Sequence, residues 1–257
     1  MSSLFALVQN EQMKIYSRVR TWIMLAILIL CVIMTGVLMK FMLDANLAHV
    51  LQFMAFATFL TMLVTIFSVI VAGDMVASEF TWGTIKLLLI RPASRSKILA
   101  SKYIAVLLFV LMLLVVHFIS AYFTGLLLFG VGGQVGEGVT MGNIVRTYLL
   151  HAVNIVMAVT LAFMISAVFR SSSLAIGLSI FLLWTKDGIV AALVSLKYEW
   201  VKYFVFANTD LTPYIVGGKP LLPGMTLGFS VTVLVLYWLL FYGISWLLFT
   251  KRDVAGS

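Results

Sequence analysis

The sequence predicts an all-α, polytopic membrane fold of six spanning helices, with an interfacial helix at the N-terminus and a short helix in one connecting loop. Three observations carry that prediction. Residues of the AVILMFWYC set make up 63% of the 257-residue chain, well above the apolar share of about 45–50% in soluble domains. Charged residues are only 10%, too few to give a globular domain of this length a polar skin. The apolar residues also fall in long continuous runs with basic residues collected between them. Lipid offers backbone groups no partner, so such runs must be helices, and their continuity excludes the alternating pattern of a membrane barrel.

The first element, Leu4–Arg20 within segment 1–21, reads as an interfacial helix. Leu4, Phe5, Val8, Ile15, Tyr16 and Val19 share a face at helical spacing, with Lys14, Ser17 and Arg18 away from it. Gln12 interrupts that face, and an ordinary frayed amphipathic start is the alternative. Six spans follow: Trp22–Leu43, Leu51–Ala72, Tyr103–Phe129, Ile144–Phe169, Leu174–Leu196 and Met225–Phe249. Each approaches or exceeds the roughly 20 residues that cross a bilayer core. The first is too long for a signal-peptide core and has no small-residue cleavage site after it, so it is expected to stay in the protein.

The basic residues orient the bundle. With both termini on one side, that side holds eleven of them: Lys14, Arg18, Arg20, Lys86, Arg91, Arg95, Lys97, Lys102, Arg170, Lys251 and Arg252. The opposite side holds five, Lys40, Arg146, Lys197, Lys202 and Lys219, with Lys186 inside the fifth span. Both termini are therefore expected in the cytoplasm, at a bacterial plasma membrane. The net charge of +8 belongs to these loops, whose natural partner is the anionic leaflet of the lipid bilayer, with no nucleic acid implied. A lone Cys31 and three histidines without ligand spacing predict no metal site and no disulfide framework.

Segment 73–101, between the second and third spans, is the most informative. Ser78 is a plausible N-cap for a short helix, Glu79 suits its first turn, and Pro92 ends what precedes it. Together Glu79, Phe80, Trp82 and the cluster of Arg91, Arg95 and Lys97 give a soluble partner a carboxylate, an exposed aromatic and a basic patch. The competing reading is a positively charged loop that only fixes topology, and the residues by themselves leave both open.

The run Glu79-Phe80-x-x-Gly83-Thr84-Ile85-Lys86-x-Leu88-Leu89-x-x-Pro92-x-Ser94-Arg95, followed by Lys102, resembles the cytoplasmic signature of the type-2 ATP-binding-cassette exporter permeases. The chain end, Phe249-x-Lys251-Arg252-Asp253-Val254, is similar to the closing motif of the same family. The resemblance implies one transmembrane permease domain over 1–257, without catalytic residues of its own. Glu79–Ile90 would contain a coupling helix docked in a separate ATPase subunit. Glu79 would be the charged contact, Phe80 and Trp82 the packing residues, and Gly83-Thr84 the turn, with Lys86, Arg91 and Arg95 beside them. The N-terminal helix would be an elbow helix facing the same partner. ATP and Mg would reside in that subunit, and a second permease subunit, identical or related, would complete the pathway. The residues agree that a motor must come from elsewhere: Gly217-Gly218-Lys219-Pro220 has neither the spacing nor the hydroxyl of a phosphate loop. The implied cargo is an amphipathic or hydrophobic antimicrobial peptide, drug or lipid-like molecule, moved outward, as in antibiotic-resistance exporters. A non-transporting scaffold that docks a cytoplasmic partner is the alternative. An intramembrane enzyme is not expected, since no aspartyl dyad, Ser–His pair or zinc motif occurs.

Within the spans, Lys186-Asp187 is the most expensive pair. It marks an outer gate or pathway, a snorkelling lysine, or a fifth span ending early with Gly188–Tyr203 re-entrant. His117, His151 and Asn154 are expected to make interhelical hydrogen bonds rather than a proton relay. Gly130–Gly142 reads as a flexible connector. The 197–224 region reads as an outer loop or re-entrant lid with an aromatic belt of Tyr198, Trp200, Tyr203 and Tyr214.

Overall fold

The computed structural model describes residues 3–42, 49–84, 93–136, 138–216 and 218–251. Among them every regular element is a helix. Six helices are long and apolar enough to cross a membrane: Val19–Phe41, Val50–Met75, Arg95–Phe129, Met141–Phe169, Ser172–Ser195 and Leu227–Lys251. The protein is a polytopic α-helical membrane protein.

The second span is two helices, Val50–Ala57 and Thr61–Met75, joined by a 3₁₀ turn over Thr58–Leu60. Three hydroxyls there turn back on preceding carbonyls, Thr58 to Ala55, Thr61 to Thr58 and Thr65 to Thr61, the local bonding by which threonine bends helices in apolar surroundings. The third span starts at Arg95, eight residues before the apolar run does, and Ser94 caps it by accepting the Lys97 N–H. That gives a helix of 35 residues, longer than a bilayer core requires, so its first turns extend beyond the span proper. The fifth span runs without a break to Ser195, so Lys186 and Asp187 lie well inside it and the early-ending, re-entrant alternative does not hold. Short helical turns at Glu199–Tyr203, Val205–Asn208 and Thr212–Val216 follow it.

The second and fourth spans are the most enclosed, and each packs against the other more heavily than any other pair of elements does. Phe53, Leu99, Phe109, Leu113, Ile155 and Phe163 fill the centre with no or almost no exposed surface. Burying side chains of this size removes the apolar area that ties a bundle together, by dispersion and close fit rather than by exclusion from water in the lipid-facing zone. Close approach needs small residues where helices meet. A Cβ on Gly36 would stand 2.8 Å from both Thr124 and Leu128, and one on Gly125 would stand 3.2 Å from the Val50 carbonyl. Polar bonds supplement the packing. Tyr103 Oη lies 2.7 Å from Thr160 Oγ1 and accepts the Trp238 indole N–H at 2.7 Å, joining the third, fourth and sixth spans. Tyr148 Oη lies 2.9 Å from His117 Nδ1, an interhelical bond of the kind expected of that histidine.

Candidate functional site at the terminal end of the bundle

The N-terminal helix is Leu4–Tyr16, capped by Ser3, and its enclosed face differs from the expected one. Leu7, Val8, Glu11 and Ile15 face the bundle, while Leu4, Phe5 and Val19 are exposed. The inclusion of Glu11 accounts for the rotation: its carboxylate meets the buried Lys102 ammonium of the third span. At the other end of this helix, Thr21 Oγ1 and the Trp22 indole donate to the Ile15 and Tyr16 carbonyls, tying its last turn to the start of the first span.

The helix of the informative loop is Ala77–Thr81, followed by a turn over Trp82–Thr84. Its cap is not Ser78, which lies inside the first turn and is buried. Instead Ser166 Oγ, on the fourth span, accepts the backbone N–H groups of Val76 and Ala77 at 3.1 and 2.9 Å. One hydroxyl thereby satisfies the donors released where the second span ends and the loop helix begins.

Glu79 is only 8% exposed, and its carboxylate points into the bundle rather than out to a partner. Glu79 Oε1 accepts from Lys102 Nζ at 2.8 Å and from Lys14 Nζ at 2.9 Å. Glu11 completes the set, taking Lys14 on Oε1 and Lys102 on Oε2, both at 2.9 Å. The four groups alternate in sign around a closed ring that fastens the N-terminal helix, the loop helix and the third span together. Thr84 Oγ1 donates to Glu79 Oε2, so the turn after the helix is tied to the same carboxylate. Burial by itself would raise the Glu79 pKa; the Lys102 ammonium and its hydrogen bond, with Thr84 and Lys14, outweigh burial and hold it at about 2. Lys14 responds in the complementary sense: burial would lower it, but Glu11 and Glu79 raise it above its usual value. Beside the ring, Arg18 and Arg20 both donate to Asp74 Oδ2 at the end of the second span.

The other predicted residues divide by exposure. Phe80 is half-buried under Arg170, whose guanidinium stands 4.7 Å above its ring. Trp82 is 78% exposed at the apex. Gly83 is exposed beside it with φ of +68°, a left-handed conformation that favours glycine. Arg95 donates to the Thr250 carbonyl at 3.1 Å, placing a cation at the C-terminal end of the sixth span. Lys86, Arg91 and Arg252 to Val254 lie outside the described residues.

At the opposite end, Lys186 Nζ lies 4.0 Å from Asp187 Oδ1 and donates to Asn154 Oδ1 at 3.4 Å. A cavity of about 990 Å³ opens there between the fourth and fifth spans and the turns after the fifth, with Lys186, Asp187, His151 and Asn154 in its wall. The sequence pattern set Lys102 only among the basic residues of the terminal side and at the end of the loop motif, and it did not single out Glu11. The available signal was a cation beside an apolar run, which needs a counter-ion once it is enclosed.

Comparison with known sequences brings in a family. The sequence model described as "Protein of unknown function (DUF2705)" matches residues 22–255. The protein named "Uncharacterized protein YhcI" of Bacillus subtilis (strain 168) is 46% identical over 209 residues, covering 76% of this chain and 66% of that protein. "Uncharacterized membrane protein YdbK" of the same organism is 31% identical over 202 residues, covering 79% and 82%. The match thus spans just under two thirds of the length of YhcI.

Proposed function

This chain belongs to the DUF2705 family, and we propose that it is the membrane-spanning permease subunit of an ATP-driven exporter of the type-2 ATP-binding-cassette class. The observation that carries the proposal is the Trp82–Gly83 apex. A large aromatic, 78% exposed, stands on a short helix whose base is clamped by Glu79 to two other elements. A soluble partner pressing on that apex pushes on a rigid assembly, not on a free loop. In this reading the end bearing Leu4–Tyr16 faces the cytoplasm of a bacterial cell, and Trp82 packs in a groove of the ATPase subunit. Phe80, held under Arg170, supports the apex from behind. Glu79 serves the coupling as the clamp, and not as the docking contact itself.

ATP hydrolysis belongs to the partner. This chain converts the partner's movement into a change in the bundle, through the ring at one end and the hydroxyl of Ser166 at the other side of the loop helix. The cargo is amphipathic or hydrophobic, and the 990 Å³ cavity at the far end is of a size to release it outward. A second permease subunit completes the pathway.

The test is affinity purification from native membranes in a gentle detergent, with mass spectrometry of what co-elutes. A stoichiometric soluble protein carrying a phosphate loop is the expected result, and Trp82→Ala is expected to abolish its capture while this chain still elutes as folded protein. Recovery of this chain alone, in several detergents and with nucleotide added, would refute the exporter reading and favour the scaffold.

A further inference from the structure

Two lysines among the described residues, Lys102 and Lys186, are enclosed in this bundle, and they are satisfied very differently. Lys102, 1% exposed, has carboxylate oxygens at 2.8 and 2.9 Å. Lys186 has a side chain 13% exposed, yet among the described residues its nearest carboxylate stands at 4.0 Å and belongs to Asp187, whose side chain is 84% exposed. Adjacent helical positions diverge by about 100°, so Asp187 cannot turn onto its neighbour. The hydrogen bond Lys186 makes among the described residues goes to a neutral acceptor, Asn154 Oδ1, at 3.4 Å. An ammonium carries three donors, and a cation inside a spanning helix is retained at a cost that marks a site of function.

The surroundings say what those donors face. The cavity of about 990 Å³ is joined by a second of about 370 Å³, and Lys186, Asn154, His151 and Asp187 line both. Away from this point Leu150, Val190, Val194 and Phe206 form an apolar stretch of the larger wall, interleaved with Thr147, Ser195 and Thr209. Of the acids in it, Asp187 has a side chain 84% exposed, and exposed Asp210 accepts the Thr212 N–H at 2.9 Å. Lys219 adds a second cation to the same wall. A concave surface with an apolar stretch beside an under-satisfied cation is complementary to a molecule with a tail and an anionic head.

We propose that this cavity is a binding site for an anionic amphiphile, with Lys186 as the anchor for a phosphate or carboxylate head and the Leu150, Val190, Val194 and Phe206 surface as the bed of its tail. Asn154 orients the ammonium toward the cavity. The assignment deepens the exporter reading by naming the cargo class, and it rests on that reading only for the direction of movement. The same head chemistry arises from a phospholipid of the bilayer or from a free amphiphile.

The test uses the full chain purified in dodecyl maltoside, an uncharged detergent, with dodecyl phosphate as probe and native mass spectrometry as readout. Saturable binding of one dodecyl phosphate is expected, weakened about tenfold or more by Lys186→Gln and retained by Lys186→Arg. Inorganic phosphate and dodecyltrimethylammonium are expected not to bind. A phospholipid that co-purifies with the wild type and is lost from Lys186→Gln assigns the site to a lipid head group. A lipid-free wild type that takes up dodecyl phosphate assigns it to a free amphiphile. Equal binding by Lys186→Gln, or by either comparator, overturns the proposal. Thermal unfolding of each variant verifies its fold, and removal of a charge from a span favours insertion. No ATPase takes part, so failure here is distinct from failure to capture a partner.

Discussion

The two ends of this bundle handle buried charge in opposite ways. At the terminal end, Glu11, Lys14, Glu79 and Lys102 close a ring in which every ion has two partners at 2.8–2.9 Å. At the far end, Lys186 and Asp187 stand 4.0 Å apart on the edge of a large cavity. The ring and Lys186 both carry the desolvation cost of charge taken from water, whereas the Asp187 side chain is 84% exposed. The ring recovers it internally and becomes a structural joint. Lys186 leaves it unrecovered, and this is the state in which a ligand has something to gain. Charge balance separates a clamp from a site more sharply than burial does.

The largest effect that tests this contrast is the removal of Glu79. Glu79→Ala leaves Lys102 enclosed with half its compensation, and breaking a buried pair in this way costs about 3–5 kcal/mol. The expected outcome is a clearly lowered unfolding temperature in detergent and early proteolysis of the Leu4–Tyr16 helix, with Lys186→Met showing neither. An unchanged profile for Glu79→Ala would mean that the ring is ornamental.

Acid provides the next test. The Glu79 carboxyl is depressed to about 2 from an ordinary value of 4.5. A depressed acid contributes stability that is fully present above the unfolded value and is lost as pH falls through the folded one. The ring should therefore hold from neutral pH down to about 4.5 and lose its contribution between there and about 2. For Lys14, raised above 10.5, the contribution is present below that value and lost above it. Thermal unfolding followed across pH should show the acid loss in the wild type and a flatter curve in Glu79→Gln.

A packing control comes third. Gly36→Val places a side chain where Thr124 and Leu128 stand 2.8 Å away and should cost about 1–3 kcal/mol without touching either charge cluster. Equality with Glu79→Ala would deny the ring any special weight. The smallest stability effect belongs to Trp82→Ala, within about 0.5 kcal/mol because the ring is exposed. Its loss should appear in partner capture alone, and a drop in unfolding temperature would show that Trp82 is a packing residue instead.

The fold was legible because a membrane reduces it to apolar run length. Six runs became six helices with shifted ends, and the departures have local causes. The 3₁₀ turn at Thr58–Leu60 comes from threonine hydroxyls competing for carbonyls, which hydropathy does not register. The continuity of the fifth span through Gly188 reflects lipid, where an unbonded backbone is costlier than one glycine. The site was half legible. The short helix with Trp82 at its tip follows from local pattern, but the direction of Glu79 does not. Its partners Lys102 and Lys14 lie 23 and 65 residues away, and only assembled packing brings them to one carboxylate. Glu11 was hidden for the same reason, since on a helix of surface character an acid reads as solvated.

The hydroxyl of Ser166 has a mechanical consequence. It holds two successive backbone N–H groups where the chain changes axis between Met75 and Ala77. Rotating the loop helix about that corner requires either breaking both bonds or carrying the fourth span along with it. Under the exporter reading the corner would work as a bell-crank: torque applied at the tryptophan tip would be delivered to the helix that walls the cavity at the other end, through a pivot of one oxygen atom.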